Sequence, residues 1–301
     1  MLRSCYLKKD NDAIKVLQNL IKYKNDIQVI HFIFINISDE IAESINTFLL
    51  CPNCHIKNLL FEKCSLSLIS DDTAKCIIDG ISKNKTITSI SISEVYHNDD
   101  ISLDKFVSNL MIAIQYHPYI KKLVLNDNNI KESAFDIVKY KPVNLKHIEL
   151  RNNENLNMDS VRYLLNNGNM QSIDVLSSIR DYDSTYIDDL CLDLERNKSL
   201  LSFSINTLLN FGNHELFESS KRLVNNITIM ECRNQKAYVD AKQAAICLIA
   251  IRKYRRSTRG ILGWVPLKLV IQMAKYIFES YSDIKWHQNI ENTLIYTSAI
   301  N

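Results

Sequence analysis

Glycine and proline are scarce, five and four residues in a chain of 301. That shortage excludes collagen-like and low-complexity classes and leaves little material for a glycine-rich phosphate loop. Long apolar runs are missing too. The longest, Ala244 to Ile251, has eight residues, against roughly 20 for a helix that crosses a bilayer. The first ten residues, Met1-Leu2-Arg3-Ser4-Cys5-Tyr6-Leu7-Lys8-Lys9-Asp10, lack the apolar core of a secretory signal. A reducing environment is therefore expected. Most of the eight cysteines (Cys5, Cys51, Cys54, Cys64, Cys76, Cys191, Cys232 and Cys247) should then be buried as small hydrophobes.

Charge of one sign does not dominate either; the net charge is +2. It is unevenly placed. Residues 235–301 hold ten Lys/Arg against four Asp/Glu, and the preceding 234 hold 26 against 30. This asymmetry is too small to argue for nucleic acid. With 46% hydrophobic and 23% charged residues the composition is that of an ordinary globular chain.

What is present is a repeat. Apolar residues recur at first, fourth and sixth positions, with Asn or Cys at the ninth. Ile56, Leu59, Phe61 and Cys64 form one instance, Ile120, Leu123, Leu125 and Asn128 a second, and Leu145, Ile148, Leu150 and Asn153 a third. The same spacing, with a degraded ninth position, occurs at Ile27/Ile30/Phe32, Ile87/Ile90/Ile92, Met170/Ile173/Val175 and Leu200/Phe203/Ile205. Between these strand-like pieces run helix-like ones. Ser38 precedes Asp39–Leu50, Ser70 precedes Asp71–Lys83, and Ser102 precedes Leu103–Tyr116, stopped by His117-Pro118. Further helices are expected near 132–140, 158–167, 184–197 and 213–226.

Over about 27–230 the chain resembles leucine-rich repeat proteins of the long, ribonuclease-inhibitor-like type. The resemblance implies an α/β solenoid, a horseshoe with parallel strands on its concave face and helices on its convex face. A single strand-turn-helix unit cannot bury its apolar side alone, whereas stacked units share one core. Residues 1–26 read as a helical cap, with Ala13, Ile14, Val16, Leu17, Leu20 and Ile21 on one helix face. Residues 231–301 read as a helical C-terminal module.

Within that module, Ala245–Ile251, Arg252-Lys253-Tyr254-Arg255-Arg256, Val265-Pro266 and Ala274-Lys275-Tyr276-Ile277 are similar to the C-terminal region of leucine-rich repeat effectors of intracellular bacterial pathogens. That resemblance implies a protein made in a bacterial cytoplasm and translocated to a host cytoplasm, where it binds a host protein. Val265-Pro266 with Leu269, Met273 and Ile277 also resembles an F-box, which implies a second reading. In it the helices would engage a ubiquitin-ligase adaptor and the repeats a substrate. The basic cluster Arg252, Lys253, Arg255 and Arg256 offers an anionic membrane surface a peripheral contact.

Strings that resemble catalytic or metal motifs are incomplete. Cys51-Pro52-Asn53-Cys54-His55 matches a haem-attachment string, but falls where a helix should turn into a strand. Cys51, Cys54, Cys64 and Cys76 provide only one close pair where a zinc site of this kind would use two. His214-Glu215-Leu216-Phe217-Glu218 lacks the second histidine of a metalloprotease helix. No enzyme activity, cofactor or metal is expected.

A working surface is expected on the concave face instead. The fifth and seventh repeat positions hold His31/Ile33, Leu60/Glu62, Ser91/Ser93, Val124/Asn126, Glu149/Arg151, Asp174/Leu176 and Ser204/Asn206. These columns contain no Trp or Tyr. The central repeats present Lys122, Asn126, His147, Glu149, Arg151 and Asp174, a mixed-charge patch suited to selecting a charged protein partner. Arg151 is its leading candidate, and Arg151→Glu is expected to abolish binding without unfolding the protein.

Overall fold

The computed structural model describes residues 3–22, 26–65, 71–95, 100–130, 143–153, 156–166, 169–176, 184–205, 222–237 and 239. The chain divides into two compact units, 1–230 and 231–301.

Unit 1 is built on eight strands: β1 Arg3–Leu7, β2 Ile27–Ile33, β3 Asn58–Glu62, β4 Ser89–Ser93, β5 Lys122–Val124, β6 His147–Glu149, β7 Ser172–Asp174 and β8 Ser202–Ser204. They form one sheet in sequence order, and every neighbouring pair is parallel. Parallel neighbours need a crossover. Helices supply it: α1 Asp10–Lys22, α2 Asp39–Leu50, α3 Asp71–Lys83, α4 Asp100–Ile114, α5 Met158–Leu165 and α6 Ser184–Arg196. Helix α7 spans 222–237. Contacts between α1 and α2, α2 and α3, α3 and α4, and α5 and α6 make a second layer. This is the α/β solenoid that the resemblance to leucine-rich repeat proteins implies. The helix expected at 132–140 and the basic and F-box-like segments of 245–277 lie outside the described residues, as do His214 to Glu218.

The period of the sequence sets the register. Ile30, Leu59, Ile90, Leu123, Ile148, Ile173 and Phe203, all at the fourth position, pair across the sheet in one continuous column. None is more than 4% exposed. The sixth-position residues Phe32 and Phe61 stack at 5.1 Å between ring centroids. Each such side chain, fully buried, contributes about 1.5–3 kcal/mol of hydrophobic free energy. Helix α2 shows how the other layer is fixed. The Ser38 hydroxyl accepts from the Ile41 amide at its start, and Ile41, Ala42, Ile45, Phe48 and Leu49 face inward. At Gly80 of α3 a Cβ would stand 3.1 Å from the Asn46 Cα of α2, so the close approach of these two helices needs glycine.

The N-terminus differs from the purely helical cap expected. Strand β1 precedes α1 and pairs with β2, with Cys5 beside Ile30 and Leu7 beside Phe32. Its five residues are too few to show the repeat motif, and only the alternation Cys5-Tyr6-Leu7 marks it.

Two polar ladders tie successive repeats. At the ninth position, Asn128 donates to Ile92 O (2.7 Å) and accepts from Val95 N (3.0 Å). Asn153 donates to Leu125 O (2.7 Å) and Leu150 O (2.8 Å) and accepts from Ile130 N (3.2 Å). Cys64 takes the same slot, its Sγ donating to Phe32 O at 3.4 Å. The second ladder lies three residues before each motif. Asn84 donates to Leu49 O (2.7 Å) and accepts from Ile87 N (2.8 Å). Asn197 donates to Leu165 O (2.6 Å) and accepts from Leu200 N (2.8 Å). His117 fills that slot one repeat after Asn84, with Nε2 2.8 Å from Asn84 O and Nδ1 accepting from Ile120 N at 3.2 Å.

Candidate functional site: the open face of the sheet

Residues two apart on a strand share a face. With fourth and sixth positions in the core, the third, fifth and seventh stand on the open side. The six residues expected to form a patch come from three adjacent strands. Lys122 is on β5, His147 and Glu149 on β6, and Asp174 on β7, while Asn126 and Arg151 lie just beyond β5 and β6. Lys122, His147 and Ser172 are in register, as are Val124, Glu149 and Asp174.

Ion pairs join them. Lys122 Nζ is 2.6 Å from Glu149 Oε1. Arg151 directs Nη2 (2.5 Å) and Nε (2.7 Å) at Asp174 Oδ2. Asn126 Oδ1 accepts from the Arg151 amide at 2.9 Å, and Asp174 Oδ1 from the Leu176 amide at 3.2 Å. Asp174 is only 6% exposed, so Arg151 serves as its counter-ion as well as a surface group. Burial works to raise the Glu149 carboxyl, but Lys122, Asn126 and Arg151 outweigh it and hold the group below its ordinary range. Asp174 in turn holds the Arg151 guanidinium more firmly protonated. The patch is therefore internally neutralised: it presents paired charges at fixed positions, with half of Arg151's side chain open to solvent.

Strand β1 changes the N-terminal end of this face. It places Tyr6 beside His31 in the fifth-position column, with ring centroids 5.6 Å apart. The expectation of columns without tyrosine is corrected accordingly. His31 Nε2 lies 2.9 Å from Glu62 Oε2, without the alignment of a hydrogen bond. Just past β2, Phe34 is 64% exposed, and Lys63 Nζ sits 5.6 Å over its ring and 3.5 Å from Glu94. Phe34, Lys63, Glu94, Asp127 and Asn152 occupy the eighth position of successive repeats, all with φ between 50° and 59°. The chain turns sharply there and throws these side chains onto the rim.

The cysteine strings are absorbed by packing. Cys51 and Cys54 close a turn through the Cys54 amide and Cys51 O (2.9 Å), and Cys54 Sγ accepts from Asn84. Cys76 Sγ accepts from Asn46 at 3.1 Å. Burial pushes the Cys54 thiol up and the Cys64 thiol to about 11, which suppresses the thiolate that nucleophiles and metal ligands require. Cys54, Cys64 and Cys191 are buried as expected; Cys5, Cys51 and Cys76 are half-buried, and Cys232 is exposed. Among the described residues, no group of three or more His, Cys, Asp or Glu is placed to hold a metal ion, and no helix is long and apolar enough to cross a membrane.

No protein-family model matches this chain, and no curated protein matches it. Among solved structures, one similar chain is the tropomodulin C-terminal domain from Caenorhabditis elegans, at 17% identity and a TM-score of 0.41. The match covers 56% of this chain and 99% of that one. A likeness this distant carries no argument about function; the assignment of the fold rests on the strand order, register and buried columns above.

Proposed function

We propose that the protein is a non-catalytic scaffold that binds a protein partner through the open face of its repeats. The observation that carries this reading is the patch of Lys122, Glu149, Arg151 and Asp174. Its side chains are pinned by one another on adjacent strands, so little conformational entropy is lost when a partner docks. Paired charges of fixed pattern give selectivity more than raw affinity. The proposal extends to the partner: a host protein, met in a host cytoplasm after translocation from a bacterium. The C-terminal resemblance to pathogen effectors supports that part.

The test is affinity capture from eukaryotic lysate with the full chain and with the double variant Lys122→Glu/Glu149→Lys. This swap keeps an ion pair within the fold but inverts the pattern it displays. A partner recovered by the wild type and lost by the swap is expected. Equal recovery by both would remove the open face as the binding site.

A further inference from the structure

The two edges of the sheet differ in charge. Strand-to-helix turns and first helical turns carry Asp39, Glu40, Asp71, Asp72, Glu94, Asp100, Asp127 and Asp159 against Lys8, Lys9 and Lys63. The helix-to-strand junctions 53–57, 84–88, 115–121, 143–146, 169–171 and 196–201 contain no Asp or Glu, and the first junction, before β2, contains Asp26. They hold Lys57, Lys85, Lys121, Lys146, Arg196 and Lys198. Helix dipoles explain cations in a last turn, such as Lys22, Lys83 and Arg196. They do not explain Lys57, Lys121 and Lys146, which lie beyond the helices at the second motif position.

Those lysines form a row. The Thr88 amide donates to Lys57 O, the Lys121 amide to Thr88 O and the Lys146 amide to Lys121 O, each at 2.8 Å. Lys121 and Lys146 are thus one strand apart, roughly 4.8 Å, and Lys57 is two strands from Lys121, with Thr88 between them. None of Lys57, Lys85, Lys121 and Lys146 forms an ion pair with a described residue. Burial, and after it Lys121, pushes the Lys146 ammonium below the usual lysine range.

Beside the row stands an apolar cluster. Tyr116 is 75% exposed and Tyr119 44%, with Ile112 one turn before Tyr116 on α4. Val143, also exposed, is tied to the same place by its amide bond to Gln115 O at 3.0 Å. Tyr119 is tied to the turn: its amide donates to His117 Nδ1, and its ring meets the edge of the His117 ring, itself anchored to Asn84 O, at 6.0 Å between centroids.

We propose that this helix-to-strand edge is a second docking surface, which takes an extended acidic protein segment bearing apolar side chains. Carboxylates of the segment meet the lysine row, and its apolar residues cover Tyr116, Tyr119, Ile112 and Val143. An acidic peptide fits better than nucleic acid. The row itself is lysine, with Arg196 at the far end of the edge the one arginine of these junctions to offer a bidentate fork for phosphates or base edges, and its few cations would release few counterions. Aliphatic side chains beside the tyrosines suit a peptide's apolar residues rather than a base stack.

Fluorescence anisotropy of the full chain tests this, with three probes: a short Glu-rich peptide containing Leu and Phe, a single-stranded RNA oligonucleotide, and vesicles of phosphatidylcholine with phosphatidylserine. Saturable, salt-sensitive binding of the peptide is expected. Lys121→Glu/Lys146→Glu should weaken it about tenfold or more, and Tyr116→Ser/Tyr119→Ser should weaken it at unchanged salt dependence. Lys122→Glu/Glu149→Lys on the open face should leave it unchanged, which separates this surface from the one proposed above. Should the lysine variant fail to fold by circular dichroism, the tyrosine variant decides. The proposal is overturned by absent peptide binding, by wild-type affinity in the deciding variant, or by tighter binding of RNA or vesicles than of peptide.

Discussion

The first four strands and the last four differ in length and in what fills the ninth position. Strands β1–β4 are five to seven residues long, and β5–β8 are three each. In the first half the ninth position is Ile35, Cys64 or Val95, all buried. Backbone pairing continues past the strands there, from Phe34 N to Glu62 O, Ser65 N to Ile35 O and Ile37 N to Ser65 O. After β5 and β6 the ninth position is Asn128 or Asn153, and the amide side chain adds bonds to the backbone of its own or the preceding repeat. Buried backbone donors and acceptors must be paired. Main chain meets that demand past strands of both lengths, as from Asp127 N to Arg151 O and Asn152 N to Leu176 O, and asparagine adds to it after β5 and β6. The open faces divide the same way: Tyr6, His31, Ile33, Leu60 and serines at one end, ion pairs at the other.

The sharpest way to break this comparison is at position nine. Asn153→Ala leaves Leu125 O, Leu150 O and Ile130 N without their partner. At about 1–3 kcal/mol for each buried group left unsatisfied, a loss of about 3–5 kcal/mol is expected by urea denaturation. Cys64→Ala removes a small apolar group and weak sulfur contacts, so about 1 kcal/mol is expected. If the two variants lose the same stability, the halves are not held differently.

A smaller effect separates the two open faces. Arg151→Ala strips the counter-ion from buried Asp174, leaving that carboxylate the Leu176 amide. About 1–2 kcal/mol of stability should go with it. Glu62→Ala at the other end should cost next to nothing, because its approach to His31 is unaligned. A double-mutant cycle of Arg151→Ala with Asp174→Ala should recover coupling, and one of His31→Ala with Glu62→Ala should recover none. The same geometry spoils Arg151→Glu as a probe of binding. It would set a second carboxylate against buried Asp174, so lost binding could report lost structure. That is why the charge swap at Lys122 and Glu149 is the better probe.

Most of the scaffold was legible in the sequence. The columns led by Ile30 and Phe32 could be read because core packing demands apolar residues at a fixed period, and a one-residue slip would turn them outward. The mixed-charge patch followed from the same period. Strand β1 was not legible, since Cys5 and Leu7 alone do not make a period. Nor was the pairing of Arg151 with Asp174 rather than with a partner, because a column names neighbours and not rotamers. The second polar ladder does leave a signal in the sequence: Asn53, Asn84, His117, Asn167 and Asn197 all stand three residues before a motif.

The smallest expected effect tests that ladder. Asn84 and Asn197 do not titrate, whereas His117 does. Burial holds the His117 imidazole below its ordinary pKa of 6.5, with the bond to Asn84 O pulling the other way. The folded state therefore favours the neutral ring, and the unfolded chain binds the proton more readily. The resulting stability is fully present above pH of about 6.5 and is lost as the pH falls through the depressed folded value. The cause is visible in the bonds. Nδ1 accepts from the Tyr119 and Ile120 amides, and a proton placed there would turn the acceptor into a donor facing two donors. His117→Asn supplies the residue that the equivalent slots use. Urea denaturation near pH 7.5 and near pH 5.5 should show the wild type losing more stability than this variant over that interval. Carboxylates titrate equally in both proteins and cancel in the difference. Identical losses would mean that His117 accommodates its proton without breaking the turn, and that the ladder is indifferent to which polar side chain fills it.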